Sequence, residues 1–192
     1  AEFRIEDRVC DIHRFSCYDI LSLESEEKSM ARIILICGKI CSGKTYYARQ
    51  LKEKYNAVIL STDEATYDLI NNEQGEFYNV FAERVNCYLR KKAVEIAKAG
   101  ANVILDWGFW TSAGRKEISD FLRDWQVDYE WHFIDIPDEV WYMNIEERNR
   151  RISEGRGGSD FYVDEGLLQK LLGRFEKPEQ SEMDVWFVPD EH

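Results

Sequence analysis

Positive charge is what this chain has least of. Against 37 Asp and Glu stand 25 Lys and Arg, a formal net charge of −12 over 192 residues. A sequence-independent grip on nucleic acid needs a basic face that releases counterions, so no long nucleic-acid partner is expected. A short oligonucleotide end stays open, because a few arginines in a cleft can set up a local positive field on an acidic protein. Apolar runs are short as well: none approaches the roughly 20 residues that span a bilayer, so no membrane partner is expected. The first residues, AEFRIEDRVC, carry acids rather than the basic-then-apolar profile of a secretory signal, and a cytoplasmic location is expected. Histidine is scarce too. His13, His132 and His192 stand alone, with no metal-like partners and no basis for a Ser/His/Asp or Cys/His nucleophile system. The five cysteines, at positions 10, 17, 37, 41 and 87, are odd in number and lack Cys-x-x-Cys spacing, so reduced thiols are expected. Repeats and low-complexity tracts are absent.

What is present suffices for one core, with 44% apolar and 14% aromatic residues, and the simplest organisation is one domain over 30–192. Residues 1–29 read differently. They are acidic and end in ESEEKS before Met30, which looks like a natural start. They are expected to be an added leader; the alternative is a native extension whose FRIEDRV alternation packs as an edge strand.

The most informative stretch is Gly38, Lys39, Ile40, Cys41, Ser42, Gly43, Lys44 and Thr45. This octapeptide fits G-x-x-x-x-G-K-[ST], follows the apolar run Ile33–Cys37 and precedes an amphipathic segment. Gly38 and Gly43 let the backbone curl so that amide N–H groups face an anion. Lys44 can reach β- and γ-phosphate oxygens, and the Thr45 hydroxyl is placed to ligate magnesium. A helix starting near Ser42 adds its positive dipole end. Binding of a nucleoside triphosphate, ATP or GTP, with Mg2+ is therefore expected. Cys41, inside the loop, is an ordinary loop residue or an oxidation-sensitive one.

Strand and helix patterns alternate after Met30. Strands are expected at Ile33–Cys37, Ala57–Leu60, Asn102–Leu105, Glu130–Ile136 and Asp184–Val188. Helices are expected at Gly43–Tyr55, Glu76–Ala99, Thr111 or Ser112 to Trp125, Asp138–Ile152 and Val163–Phe175. This is a parallel α/β pattern with helices on both faces, and ligands gather beyond the carboxyl ends of such strands. Asp63, just past the second strand, is either a general base that takes the proton of an attacking hydroxyl or a helix N-cap. Asp106 closes Val103-Ile104-Leu105 as a Walker-B-like carboxylate that helps hold magnesium; Asp135 is its rival. Asp106 is preferred because the aromatic loop Trp107-Gly108-Phe109-Trp110 follows it, able to wall a substrate pocket, and Arg115 comes soon after. Arg148 and Arg151 share a helix face ahead of a Gly-rich turn. Arginines on such a lid can neutralise charge on a transferring phosphoryl group, while Glu146 and Glu147 offer Arg150 and Arg151 ordinary i,i+4 pairs. Arg150 is expected on the surface.

Together GKICSGKT, LSTD, VILDWGF with Arg115, and RNRRISEGRG resemble the small P-loop kinases of the AAA-type, zeta-toxin-like ATPase group. That group is similar to chloramphenicol phosphotransferase, gluconate kinase and the polynucleotide kinase domain. The resemblance runs from about Met30 to Val188. It implies a three-layer α/β/α P-loop NTPase fold with a five-stranded parallel sheet in the order 2-3-1-4-5 and a small lid. It also implies that Lys44 and Thr45 handle triphosphate and magnesium, that Asp63 is the base, that Asp106 and Arg115 line the acceptor side and that Arg148 or Arg151 belongs to the lid. With the residue reading, Lys44, Asp63, Arg148 and Arg151 are expected to be catalytic, Asp106, Trp107 and Arg115 substrate-binding, and Thr45 and Asp106 metal-binding. The basic residue some relatives carry after the base is missing here, where Glu64-Ala65-Thr66-Tyr67-Asp68 stands. A neutral small-molecule hydroxyl acceptor fits that departure. A 5′-hydroxyl oligonucleotide or nucleotide-sugar kinase is the alternative, and an ATP-binding switch or degenerate ATPase the alternative outside kinases. No oligomeric state is legible.

Overall fold

The computed structural model describes residues 31–70, 78–157 and 160–189. The leader 1–29, the expected boundary at Met30 and the first residues of the helix expected from Glu76 lie outside them. Five strands, β1 (Ile33–Cys37), β2 (Val58–Ser61), β3 (Val103–Asp106), β4 (Tyr129–Ile134) and β5 (Val185–Phe187), form one sheet in the order β2-β3-β1-β4-β5. Every pairing is parallel, as the resemblance implies.

The alternation of side chains along the central strand builds the layers. All five residues of β1 are fully buried. Ile33, Leu35 and Cys37 pack on one face with Val85, Leu89 and Ala93 of helix α3 (Tyr78–Lys98) and Ile118 and Leu122 of α4 (Ser112–Asp124). Ile34 and Ile36 pack on the other with Tyr47, Ala48 and Leu51 of α1 (Lys44–Tyr55) and Trp141 and Ile145 of α5 (Asp138–Ser153). A strand covered on both faces reads as an unbroken apolar run, which is why IILIC stood out.

Local chemistry sets the ends of the elements. Asn56 closes α1 in the left-handed region at φ 47°, Gly100 follows α3 at φ 93°, and the Thr111 side chain caps α4 by accepting from the Gly114 N–H. The last helix, α6 (Glu165–Leu172), is shorter than expected, because the Asp164 carboxylate caps it and Gly173 ends it. One helix was foreseen only in the N-cap alternative for Asp63, without bounds: α2 (Thr62–Ile70) starts directly after β2. Its free amide at Glu64 is met by the Ser61 hydroxyl at 3.3 Å, so Asp63 lies inside the first turn and is not the cap. Register brings Ile36, Ser61 and Asp106 to one level across β1, β2 and β3, so the tips of three strands open onto the same edge.

Since β1 is enclosed by both layers, Leu35→Ala should lower unfolding stability by about 2–5 kcal/mol through lost transfer energy and an unfilled cavity. Met143→Ala, at a side chain 67% exposed, should change it by no more than about 0.5 kcal/mol. Urea titration of both variants checks this, and equal losses would contradict the layer assignment.

Candidate active site

The chain turns sharply where β1 ends. At Gly38 a Cβ would fall 2.6 Å from Ser42 Oγ and 3.1 Å from the Ile134 carbonyl oxygen, so only glycine fits. Cys41 and Gly43 both take left-handed backbone, with φ 58° and 89°. A side chain on Gly43 would meet no atom within 4 Å, so this corner of the loop faces open space. Helix α5 holds the loop from the other side: Trp141 Nε1 donates to the Ile40 carbonyl at 2.6 Å and Asn144 Nδ2 to the Cys41 carbonyl at 3.0 Å. In a planar trans peptide the next N–H points opposite to the carbonyl, so the Cys41 amide is aimed away from α5. Lys39 turns outward to Asp138 at 2.7 Å and lies over the Trp141 ring; its place in the anion grip is its backbone.

Lys44 folds over the loop and donates to the carbonyls of Gly38 at 3.0 Å and Lys39 at 2.6 Å. Burial pushes its ammonium below the ordinary lysine value, while Asp106, Cys37 and Asp63 resist. Asp106, 7% exposed, sits at the tip of β3. Asp63 is open to solvent yet crowded by protein. Burial raises its carboxyl above the usual aspartate range and Asp106 adds to the rise, whereas Lys44 and Arg148 pull it down. Two carboxylates and two cations thus share one cleft at the carboxyl edge of the sheet. Asp135, the rival of Asp106, accepts from Lys177 at 2.9 Å and Trp186 Nε1 at 3.1 Å, which ties it to β5.

The arginines of α5 divide as their helix face dictates. Arg148 reaches the loop, with Nη1 3.6 Å from Cys41 Sγ, and its guanidinium lies 4.6 Å over the Phe161 ring. Asp160 draws Arg148 and Arg151 together, at 3.3 and 2.9 Å. Arg150 points outward and pairs with Glu147 and Glu154, so the glutamate it meets first is three residues back, not the expected Glu146.

Two expected acceptor residues are corrected. Trp107 is 7% exposed, belongs to the core, and donates its indole N–H to the Leu60 carbonyl at 3.0 Å. Arg115 is 2% exposed, and its donors are taken by Glu182, Phe109 and Glu176. Neither presents a free group to a ligand. Side-chain direction after a strand tip is decided by tertiary packing, which spacing alone does not carry. Three residues of this region escaped the sequence reading: Asn144, Asp160 and Glu182. Asn144 had a signal, being four residues before Arg148 on one helix face; Asp160 and Glu182 had none, since their partners meet them only in the fold.

A parallel sheet in this order, with its phosphate-type loop between the central strand and the following helix, defines a P-loop NTPase domain of the kinase-like fold. The chain belongs to the AAA domain family, whose profile matches residues 33–178. Protein KTI12 homolog of Arabidopsis thaliana is 29% identical over 154 residues, covering 77% of this chain and 48% of that protein. The chain therefore spans about half the length of that curated relative. Among solved structures, the Mycobacterium tuberculosis APS kinase CysC in complex with AMPPNP and APS superposes with a TM-score of 0.58 at 17% identity, covering 85% of this chain and 91% of that one. Chaetomium thermophilum Kti12 in complex with ADP-AlF3 also gives 0.58, at 18% identity, with coverage of 82% and 88%. These two likenesses show the fold.

Magnesium fits the donor set. The Thr45 hydroxyl and the Asp106 carboxylate are hard oxygen donors, and among the described residues no group of three or more His, Cys, Asp or Glu could hold a metal by itself. An ion here would share its coordination with phosphate oxygens, as magnesium does. Among the described residues no helix is long and apolar enough to cross a membrane.

The three described cysteines should separate by environment. Burial raises the Cys37 thiol to about 11, Cys41 is half-buried and Cys87 exposed. Under native conditions at pH 8, maleimide labelling followed by peptide mapping should find Cys87 modified first, Cys41 more slowly and Cys37 only after unfolding. Rapid native labelling of Cys37 would contradict its place beneath the loop.

Proposed function

We propose that this domain is an ATP-dependent phosphotransferase that moves the γ-phosphoryl group to a hydroxyl of a small neutral molecule. The observation that carries the reading is the placement of Asp63: an exposed carboxylate in the first turn of α2, just beyond the tip of β2, whose last residue, Ser61, lies level with Asp106 across the sheet. In the proposed reaction the acceptor oxygen forms a bond to the γ-phosphorus, the bond from that phosphorus to the β-bridging oxygen breaks, and ADP leaves. Asp63 takes the proton from the acceptor hydroxyl. Lys44 exchanges its two loop carbonyls for phosphate oxygens, replacing neutral acceptors with charged ones. Arg148 and Arg151 trade Asp160 for the transferring group, where they offset charge that develops as the bond breaks. Thr45 and Asp106 would hold magnesium, which supplies further neutralisation of the phosphate oxygens.

The acceptor class is supported by what surrounds the base. Glu64 and Asp68 follow Asp63 on α2, so a second polyanion would meet like charge there. Two alternatives keep defined outcomes. A 5′-hydroxyl oligonucleotide or nucleotide-sugar acceptor would be signalled by transfer that weakens steeply with salt. ATP hydrolysis without an acceptor, in a nucleotide-driven switch, is the alternative outside kinases. Its mark is hydrolysis unaffected by any added hydroxyl compound.

The deciding experiment incubates the protein with γ-labelled ATP, magnesium and a panel of antibiotics, sugars, nucleosides and 5′-hydroxyl oligonucleotides, and follows labelled product. Asp63→Asn should cut transfer by roughly a hundredfold or more while ATP affinity stays within about threefold; undiminished transfer would remove Asp63 from the mechanism. Because its proton affinity is raised, kcat/KM should fall on the acid side at a pH above the ordinary aspartate value of about 3.9. Below that limb the carboxyl is protonated and cannot accept. An acid limb at or below the ordinary value would mean that the Asp63 carboxyl is not raised in the free enzyme.

A further inference from the structure

Arg115 is a buried cation that touches no part of the open cleft, and its surroundings give it another task. Its guanidinium forks onto Glu182, with Nε 2.9 Å from Oε2 and Nη2 3.2 Å from Oε1. Nη1 donates to the carbonyls of Phe109 at 3.3 Å and Glu176 at 3.0 Å. One side chain therefore joins three pieces of chain: the loop after β3, the segment after α6, and the single-turn helix Gln180–Glu182. Glu182 is itself held, since its Oε1 accepts the Glu179 amide at 2.9 Å.

The loop that Arg115 grips needs holding. Phe109 adopts φ 39°, a left-handed conformation that an aromatic residue keeps only when its surroundings impose it. Its ring is stacked on Trp107 and meets Trp131 edge-on, with centroids 5.5 and 4.9 Å away. Its carbonyl also accepts from Cys37 Sγ at 3.5 Å, the residue directly before Gly38. A Cβ on Gly108 would strike the Trp110 indole nitrogen at 1.7 Å, so Trp110 is folded back over the loop. The far end is fastened by Glu176, whose amide donates to the Trp110 carbonyl at 2.8 Å and whose carboxylate accepts the Ser112 amide at 2.7 Å. The loop so fastened leaves directly from Asp106 and is bonded to the root of the phosphate-type loop.

We infer that Arg115 and Glu182 form a positioning pair: from behind the cleft they fix the strained 107–110 loop, and with it the acceptor side next to Asp106, without touching nucleotide or acceptor. The inference rests on the phosphotransfer reading for its effect on acceptor binding, and on geometry alone for its effect on the loop. Arginine is required because only its planar fork satisfies a carboxylate on one edge and backbone carbonyls on the other; a lysine keeps the charge and loses that arrangement.

The test compares wild type with Glu182→Gln, which keeps shape and removes the charge, and with Arg115→Lys. Hydrogen exchange by mass spectrometry should show the amides of 107–112 exchanging at least about tenfold faster in either variant, with 38–55 unchanged. In the transfer assay the acceptor KM should rise about tenfold or more while ATP affinity stays within about twofold. Should Arg115→Lys fail to fold, Glu182→Gln carries the test alone. Exchange at 107–112 equal to wild type overturns the pair, and so does a parallel loss of ATP and acceptor affinity, which would indicate a general structural role. If wild type transfers phosphate to no acceptor, the phosphotransfer reading fails by itself, and the exchange comparison still decides whether the pair holds the loop.

Discussion

The curled nest of a phosphate loop forms only where the backbone departs from both strand and helix, and a backbone in that state must be held from outside. Here two residues in the left-handed region, Cys41 and Gly43, make the departure. Glycine adopts it freely; for cysteine it costs on the order of 1–2 kcal/mol. Helix α5 offsets that cost, since Trp141 and Asn144 take the carbonyls of Ile40 and Cys41 and Arg148 rests against the thiol. The other anchor is β1, whose complete burial leaves the point of departure no room to shift. Tyr47 adds a tie beneath: its hydroxyl meets His132 Nδ1 at 2.9 Å, joining the helix after the loop to β4. The site is therefore stiff at its phosphate end because three separate elements are packed against one turn.

Charge is arranged on the same principle. A molecule with a net charge of −12 gathers Lys44, Arg148 and Arg151 at one edge, and each has an internal partner: loop carbonyls for Lys44 and Asp160 for both arginines. Leaving Lys44 or Arg148 unpartnered, each largely covered by protein, would cost more than holding it in a temporary pair, whereas Arg151, with 42% of its side chain exposed, gains less from its own. Under the proposed reading these partners are exchanged for phosphate oxygens, so the energy gained on binding is the difference between two sets of contacts rather than the whole of the second set. Burial, and after it repulsion from Asp106, raises the proton affinity of Asp63 across this field, which under the proposed reading suits it to accept a proton.

Legibility in the sequence followed the range of the interaction. The strand, loop and helix from Ile33 to Tyr55 were readable because every constraint on them is local: an apolar run, two glycines, a lysine and an amphipathic period. The sheet order came through resemblance and is seen in the pairings. The extent and cap of helix α2 were missed, although a helix was implied by the N-cap alternative for Asp63, because TDEATYDLI has no clean apolar stripe and its cap, Ser61, lies in the preceding strand. Arg115 and Trp107 were assigned to the acceptor for the same reason that Glu182 was overlooked. A residue 67 positions away in sequence takes the guanidinium, and a carbonyl 47 positions away takes the indole. Composition and spacing show which chemistry a segment carries; which way it faces is set by partners that only folding brings near.

That distinction bears on what separates a kinase from a hydrolase on this scaffold. Under the proposed reading the phosphate end, with its nest, its lysine and its arginines, would serve both reactions alike, and Asp63 could orient a water as well as an alcohol. Discrimination therefore depends on occupancy: a hydroxyl competes with water at 55 M only if the wall opposite the phosphates fixes it in line, since pre-set geometry is worth many orders of magnitude in effective concentration. Under the proposed reading that wall descends from Asp106 through the aromatic turn at Phe109, which the Arg115 guanidinium and the segment around Glu176 and Glu182 hold in place. Under that reading the residues that choose between alcohol and water are not the ones that would touch phosphate but the ones that keep this loop from relaxing.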